Sequence, residues 1–130
     1  GICNDRYDSK NVKGGADADK SDFFNAADIV LNTGAAGIQL MNEEHIKNSN
    51  TLKICADTNA VPPSGIAGVD VMDNGKVIDM SPSKCLGIGA LAIGNIKYKS
   101  QHECLKLMYT SEKPVYLDFE DAFKFAQKSV

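Results

Sequence analysis

Polar and proline residues crowd a segment that directly follows a short apolar run. The apolar run is LKIC at residues 52–55, and the segment after it is ADTNAVPPSGIAGV at residues 56–69. Asp57 and Asn59 could hydrogen-bond a bound ligand, and prolines stiffen such a loop because they fix φ and remove backbone donors. In open α/β sheets, ligands bind beside the carboxyl ends of the strands, so this segment predicts a rigid binding loop. Asp and Asn also close turns with their own backbone, and this structural alternative remains open.

A second cluster, made of small residues, follows another apolar run. Residues 28–31 read DIVL, and NTGAAG follows at residues 32–37. A short unbroken apolar run that ends in turn residues predicts a strand buried on both faces. Small side chains after such a strand let a flat ring or a ribose approach the backbone. A plain strand-to-helix turn is the alternative interpretation of Asn32, Thr33 and Gly34 taken by themselves.

Glycines recur in a third segment near the carboxyl end of the chain. Residues 87–97 read GIGALAIGNIK, which misses the dinucleotide fingerprint G-x-G-x-x-G because the third glycine comes two residues late. The fingerprint must also follow the first strand of its fold, and this segment comes too late in the chain. We therefore expect Gly87 and Gly89 to bring the backbone close to a ligand or a neighbouring helix rather than to hold a pyrophosphate.

In this order, the three segments resemble motifs of the NAD(P)-dependent methylene-tetrahydromethanopterin dehydrogenases. The family patterns are ADxNAxPPxGIxG for residues 56–68, TAGAxG for the NTGAAG segment, and a stretch similar to GALGIGGLK for residues 87–97. From about residue 17 to residue 130, the chain resembles the cofactor-domain portion at the carboxyl end of that family. The pterin-binding domain and the first βαβ unit of a family member would then lie outside this chain.

The resemblance implies an enzyme of one-carbon metabolism that passes a hydride from methylene-tetrahydromethanopterin to NADP+ and leaves the methenyl form. NAD+ and the folate analogue are alternatives within the family, and neither a metal nor a flavin is required. Positioning supplies much of the rate while the cofactor carries the chemistry, so no proton-transferring residue is nominated. The cofactor-binding residues that the resemblance implies are Asn32, Thr33, Gly34, Ala35, Asp57, Asn59, Ala60, Pro62, Gly87, Ile88 and Gly89.

Length and composition are those of a single globular domain. The chain has 130 residues, a net charge of −3, 43% hydrophobic residues and 24% charged residues. This mild acidity argues against a nucleic-acid-binding protein, and no apolar run approaches the roughly 20 residues that cross a bilayer. Four scattered cysteines without a CxxC pair predict reduced thiols in a cytoplasmic protein and no zinc site. His45 and His102 are expected on the surface.

Hydrophobic patterning predicts the elements that must position these segments. Residues 4–22 are polar and are expected to form an irregular segment. The apolar runs at residues 28–31 and 52–56 predict strands, and the pattern of residues 35–47 predicts a helix between them.

A hairpin and three further elements are predicted toward the carboxyl end. Asn74-Gly75 lies between two β-prone runs, which predicts a hairpin that joins residues 69–72 to residues 76–78. The other elements are a strand over residues 85–90, a helix from there to Met108 that ends before Pro114, and an amphipathic helix over residues 118–130 with Asp118 as its N-cap.

The order strand, helix, strand, hairpin, strand, helix predicts an α/β fold. Three or four parallel strands do not complete a doubly wound domain, so residues 1–130 look like the carboxyl-terminal half of a Rossmann-like NAD(P)-binding domain with a mostly parallel sheet and flanking helices. The sheet edge that should pair with the missing first strand would then be exposed. Because exposed edges associate, we expect a homo-oligomer or pairing with the missing portion of the same enzyme.

Two other functions remain open. The chain could be a binding module that holds a nucleotide or a partner without catalysis, or it could belong to a related Rossmann enzyme such as a folate-dependent methylene dehydrogenase or shikimate dehydrogenase. The proline-rich segment at residues 56–69, coupled to the glycine segment at residues 87–97, argues against the second option. The residues that distinguish NADP+ from NAD+ lie upstream in the resembled family.

Overall fold

An open, mixed sheet forms the centre of the molecule. The computed structural model of the chain describes residues 12–15 and 21–130. Both β1 and β4 run parallel to β2, whereas β3 runs antiparallel to β4. The predicted α/β class with a mostly parallel sheet is confirmed. In the spatial order β1-β2-β4-β3, the strands of the described residues are β1 (Ile29–Asn32), β2 (Ile54–Asp57), β3 (Asn74–Val77) and β4 (Leu86–Ile88).

Helices flank this sheet. Asp118 caps the last helix as predicted, because its side chain accepts a hydrogen bond from the backbone N–H of Glu120 at 2.9 Å. Pro114 lies in the connection before that helix, where its missing N–H interrupts no helical hydrogen bond. Across the described ranges, no helix is both long and apolar enough to cross a membrane. The helices are α1 (Ser21–Asn25), α2 (Glu43–Asn48), α3 (Ala90–Thr110) and α4 (Phe119–Gln127).

The hydrophobic core lies against one face of the sheet. Burial raises the pKa of the Cys55 thiol far above its ordinary value, and the neighbouring thiol of Cys85 raises that pKa further. Cys55 is therefore a protonated core residue at neutral pH rather than a nucleophile. The other main members of this core are Phe24, Val30, Met41, Ile46, Leu52, Ile66, Val69 and Ile78.

The prediction that the first strand is buried on both faces is wrong. Val30 of β1 points into the core, but Ile29 and Leu31, which point to the opposite face, are 55% and 70% exposed. Successive side chains of a strand point to opposite faces, so a continuous apolar run needs a cover on both sides. Among the residues that the structure describes, only the core side of β1 is covered.

The predicted helix over residues 35–47 is also too long, because only α2 is helical. Gly37 has a φ of +74°, in the left-handed region that interrupts a right-handed helix. After it, the backbone N–H groups of Leu40 and Met41 donate to the carbonyl oxygen of Gly65 at 2.9 and 3.0 Å. Leu40 and Met41 thus pack from an extended segment, and α2 begins only after its N-cap, Asn42.

The predicted hairpin around Asn74-Gly75 is wrong as well, because both residues lie inside β3. Gly75 has a φ of +81°, and the register of the β3–β4 pair shifts between Asn74 and Lys76. Gly75 therefore forms part of a β-bulge in a strand rather than of a two-residue turn. Residues 69–72 form turns instead of a strand, and β3 finds its antiparallel partner in β4.

The irregular segment predicted over residues 4–22 lies mostly outside the described residues. Its last two positions, Ser21 and Asp22, belong to α1, so the predicted segment ends too late. Cys3 also lies outside the described part of the chain. Of the two histidines, His102 is exposed, whereas His45 is half-buried and accepts the backbone N–H of Asn42 at the start of α2.

Candidate functional site

Three predicted site segments leave the sheet at the same edge. They follow β1, β2 and β4, which are neighbours and run in the same direction, so their carboxyl ends lie together. Asn32 is the register partner of Asp57, and Ala56 is the register partner of Ile88. The sheet topology therefore brings together the residues that the sequence predicts, at the edge where open α/β sheets bind ligands.

Asp57 is the hub of the loop that follows β2. Its side chain is only 1% exposed. One carboxylate oxygen accepts the side-chain amide of Asn32 at 2.7 Å and the backbone N–H of Asn59 at 3.0 Å, and the other accepts the backbone N–H of Ile66 at 3.0 Å. A buried carboxylate needs such donors, because an unpaired buried charge is very costly.

Asn59 organises the proline-containing part of the same loop. Its side-chain oxygen accepts the backbone N–H of Val61 at 2.9 Å and that of Gly37 at 3.3 Å, and its amide donates to the carbonyl oxygen of Pro63 at 2.9 Å. The Gly37 contact reaches across to the loop that follows β1. Asn59 therefore closes a turn in its own loop and also ties the two strand-end loops together.

Asn32 makes the second tie between these loops. It is 5% exposed, and its side-chain oxygen accepts the backbone N–H of Gly34 at 3.0 Å while its amide donates to Asp57. Thr58 adds to the connection, because its backbone N–H and its hydroxyl both donate to the Asn32 carbonyl oxygen, at 3.1 and 3.0 Å. The two loops are thus held as one unit by the residues at the end of β1.

The remaining predicted residues of these two loops face solvent. Thr33, Gly34, Ala35, Ala60 and Pro62 are all exposed. The backbone N–H groups of Ala35 and Ala60 donate to no acceptor in the described part of the chain. Small exposed side chains beside free backbone donors can receive a flat polar group, such as a carboxamide-bearing ring. The buried residues form the frame, and these exposed residues form the available surface.

In the third segment, residues 87–97, two of the glycines allow close packing against another loop. Gly89 packs so closely against another loop that a Cβ built on it would lie 2.1 Å from the carbonyl oxygen of Asp70 and 2.6 Å from that of Val71. Gly87 is buried and faces Asp73. The close approach that the glycines predict therefore exists, but its partner is the loop of residues 70–73 rather than a helix.

Ile88 lines an apolar cleft of about 1300 Å³ on the face of the sheet opposite the core. Ala56 of β2 contributes to the floor of this cleft, and α3 and α4 form its walls. The main apolar side chains of the walls are Ile93, Ile96, Phe119 and Phe123. Ile88 thus belongs to this cleft, whereas Gly87 faces the core side of the sheet.

Sequence reasoning missed Gly65, which determines whether the network can form. A Cβ at this position would lie 1.7 Å from the side-chain amide nitrogen of Asn32 and 2.9 Å from the nearer carboxylate oxygen of Asp57. The signal was present in the Pro-Pro-Ser-Gly-Ile stretch, but a glycine in a loop is more often needed for its φ than for space. Among residues 12–15 and 21–130, no group of three or more His, Cys, Asp or Glu side chains is arranged to hold a metal ion.

Comparison with curated proteins identifies relatives of the chain. A protein of Methylorubrum extorquens named NAD(P)-dependent methylenetetrahydromethanopterin dehydrogenase is 42% identical over 100 residues, which cover 77% of this chain. The chain is a relative of this dehydrogenase. The resemblance that the three motifs predict is therefore confirmed. A second protein of the same organism, named bifunctional protein MdtA, is 33% identical over 112 residues, or 86% of this chain.

The match covers only part of each relative. It includes 33% of the first protein and 37% of the second, so the chain spans about a third of the length of the curated relatives it matches. No family model matches the chain.

Proposed function

We propose that the protein containing this chain transfers a hydride from methylene-tetrahydromethanopterin to NADP+, and that this chain supplies part of the NADP+ site. The observation that carries the proposal is the joining of two strand-end loops by Asn32, Asp57 and Asn59 at the carboxyl edge of a parallel sheet. The name of the 42% identical relative supports a nicotinamide cofactor and a pterin substrate. When bound, the cofactor supplies the hydride chemistry, and the protein supplies orientation.

The described residues fit one half of such a cofactor. In this proposal, the exposed backbone at Gly34, Ala35 and Ala60 meets the nicotinamide ring, with Thr33 and Pro62 at its sides. The buried residues Asn32, Asp57 and Asn59 hold the two loops in position and do not face the ring. Gly87, Ile88 and Gly89 form the adjacent boundary at the end of β4. No G-x-G-x-x-G turn occurs in the sequence, so the pyrophosphate falls to residues outside this chain.

The proposal assigns residues 1–130 to a partial NAD(P)-binding domain of a cytoplasmic enzyme. The side chains of Ile29 and Leu31 are exposed, and β1 lies at one edge of the sheet that the described strands form. Both features suit a sheet that continues into another part of the polypeptide. The other two thirds of the relatives' length supply the partner for this face, and association of whole subunits into a homo-oligomer belongs to the same proposal.

The second candidate function is a binding module that holds a nucleotide or a partner without catalysis. The apolar cleft between α3, α4 and the sheet favours it, because the cleft has little polar lining with which to orient a reacting group. A related folate-type methylene dehydrogenase remains the third candidate. The two enzyme hypotheses differ in the carrier that is turned over, and the module hypothesis predicts no turnover of either.

The proposal is tested on the complete gene product by titration calorimetry with NADP+ and with NAD+, followed by turnover of methylene-tetrahydromethanopterin and methylene-tetrahydrofolate. Binding and turnover of the methanopterin substrate are expected. Ala35→Leu and Ala60→Leu should weaken NADP+ binding by about tenfold, because each places a bulky side chain on the exposed surface. Ala26→Leu is the matched control. Ala26 is exposed and lies before the amino-terminal end of β1, away from the strand-end loops. Binding without turnover would favour the module, and no binding of either dinucleotide would refute the proposal.

A further inference from the structure

We propose that Asn32 and Gly65 are positioning residues that set the spacing of the two strand-end loops, and thereby the geometry of the dinucleotide site. With Asp57, they form a unit that we call the loop clamp. This inference rests on the proposed function, because it assigns a role in cofactor binding to residues that hold the site rather than touch the ligand. Neither the relatives' names nor the sequence motifs assign such a role to Gly65.

The orientation of the Asn32 side chain follows from its two neighbours. The side-chain oxygens of Asp57 accept hydrogen bonds from N–H donors, and the backbone N–H of Gly34 can only donate one. The amide end of Asn32 must therefore face Asp57, at 2.7 Å, and the oxygen end must face Gly34, at 3.0 Å. One side chain thus connects the loop after β1 to the loop after β2, and only a group with one donor end and one acceptor end can do so.

Gly65 provides the space in which this amide lies. A Cβ at position 65 would come 1.7 Å from the amide nitrogen of Asn32, far inside van der Waals contact. The amide would have to rotate away from Asp57 and would lose its hydrogen bond. The carbonyl oxygen of Gly65 also accepts the N–H groups of Leu40 and Met41, so Gly65 holds the stretch that follows the first loop. Both ends of that loop are thus tied to the loop after β2.

The side-chain polar atoms of the loop clamp already form hydrogen bonds within the protein. The clamp therefore affects the ligand by holding the loops in place rather than by binding the ligand. No buried side-chain nitrogen or oxygen in the described residues lacks a hydrogen-bond partner, and Asn32 and Asp57 are among the most buried polar residues. The three donors at Asp57 are a side-chain amide and two backbone N–H groups. No Lys, Arg or His of the described chain forms an ion pair with it. The ligand therefore meets the loop backbone that the clamp places.

The first test replaces Asn32 with a carboxylate of nearly the same shape in the complete gene product. Asn32→Asp keeps the acceptor for Gly34 but places a second carboxylate against Asp57. Two such groups share one proton, which raises the pKa of the pair. At about pH 8, NADP+ should bind about tenfold more weakly than to the wild type, whereas at about pH 5.5 the shared proton should restore binding to within about threefold.

This pH profile separates positioning from a merely structural loss. Each affinity is divided by the wild-type affinity at the same pH, which cancels the titration of the cofactor phosphate. Asn50→Asp is the matched control, because Asn50 is exposed and lies away from the strand-end loops. Its affinity ratio should stay near one at every pH. A constant ratio for Asn32→Asp across the pH range would overturn the proposal.

The second test is a double-mutant cycle between the two clamp positions, with circular dichroism to confirm folding. Gly65→Ala should weaken NADP+ binding by about tenfold when Asn32 is present, but by less than about threefold in the Asn32→Ala background, where the 1.7 Å clash is gone and the closest remaining contact is the Asp57 carboxylate oxygen at 2.9 Å. Additive effects would overturn the clamp. If the wild type binds NADP+ and these variants match it, only the clamp fails. If the wild type binds neither dinucleotide, the proposed function fails, and the clamp fails with it.

Discussion

The two faces of the sheet differ in how completely other residues of the described chain cover them. On the core face, Met41, Ile46, Leu52 and Ile66 are fully inaccessible to solvent. On the opposite face, Leu31 is 70% exposed, and an apolar cleft opens toward α3 and α4. Burial of apolar area drives folding, so the core face is stable through contacts within this chain, whereas the other face requires a cover.

The difference shows which half of the proposed site this chain can build by itself. The strand-end loops are anchored from the core side, because Asp57 follows the core residue Cys55 by two positions and points to the same face. The loops therefore keep their arrangement even where the outer side of β1 is exposed. In the proposed function, the outer face is covered by another part of the protein, because the chain spans only about a third of the length of its relatives.

The largest expected effect comes from removing the buried carboxylate of Asp57 on the core face. Asp57→Ala leaves the amide of Asn32 and the N–H groups of Asn59 and Ile66 without their acceptor, so the free energy of unfolding should fall by about 3–5 kcal/mol. Denaturant unfolding measures this loss. Asp79→Ala is the matched control, since Asp79 is exposed. Equal stabilities of the two variants would contradict the role given to Asp57.

The same substitution on adjacent residues of β1 sharpens the contrast between the faces. Val30→Asn buries an amide in the core and should lower the free energy of unfolding by about 3 kcal/mol, whereas Leu31→Asn should change it by less than about 0.5 kcal/mol in the 130-residue chain. In the complete gene product, Leu31→Asn should become costly, because the proposed cover then buries position 31. A small effect of Leu31→Asn in both proteins would argue that this face stays open to solvent.

Two glycines near the start of α3 should change the stability in opposite directions when each is replaced by alanine. Gly89→Ala forces its Cβ against the Asp70 carbonyl oxygen and should destabilise the fold by about 2 kcal/mol or more. Gly94→Ala meets no atom within 4 Å and should stabilise α3 by up to about 1 kcal/mol, because alanine favours helix. Thermal unfolding followed by circular dichroism measures both changes. Destabilisation by Gly94→Ala would show that position 94 faces a neighbour that the described residues lack.

The smallest effect concerns the buried thiol on the core face. The pKa of Cys55 is raised, so its reactive thiolate is scarce at pH 8, whereas the half-buried Cys104 reaches solvent more easily. Alkylation followed by peptide mass spectrometry should label Cys104 well before Cys55. Unfolding should become easier as the pH rises above about 8.5, because the unfolded chain then loses the Cys55 proton that the folded chain retains. Equal labelling rates would contradict the burial of Cys55.

Sequence patterns placed the three site segments at strand ends more accurately than they set the bounds of the helices and strands. The apolar runs before residues 32 and 57 placed the site segments at strand ends, because a strand must end where polar turn residues begin. The spacing of Ile38, Leu40 and Met41 predicted a helix, but Leu40 and Met41 pair with Gly65 from an extended segment, and Ile38 is 52% exposed. Hydrophobic spacing shows which side chains seek cover, not the backbone conformation that brings them there.

Two further features depend on tertiary contacts that no local pattern encodes. The run of Ile29, Val30 and Leu31 predicted burial on both faces, which holds only when a second layer is present. The requirement for glycine at position 65 arises from a side chain 33 positions earlier, so only the folded arrangement of the two loops reveals it. Asn59, in contrast, has a sequence alternative that the structure confirms, because its side chain closes a turn in its own loop, while its place in the cofactor site stays a prediction.

Amide hydrogen exchange of the complete gene product, with and without saturating NADP+, shows whether the cofactor binds at the two strand-end loops. We expect the cofactor to slow exchange in these loops, at residues 33–37 and 58–63, while the N–H of Ile66, already bonded to Asp57, changes little. Bound NADP+ with unchanged exchange in both loops would rule out the proposed site, because the cofactor would then occupy a site that these strand ends do not form.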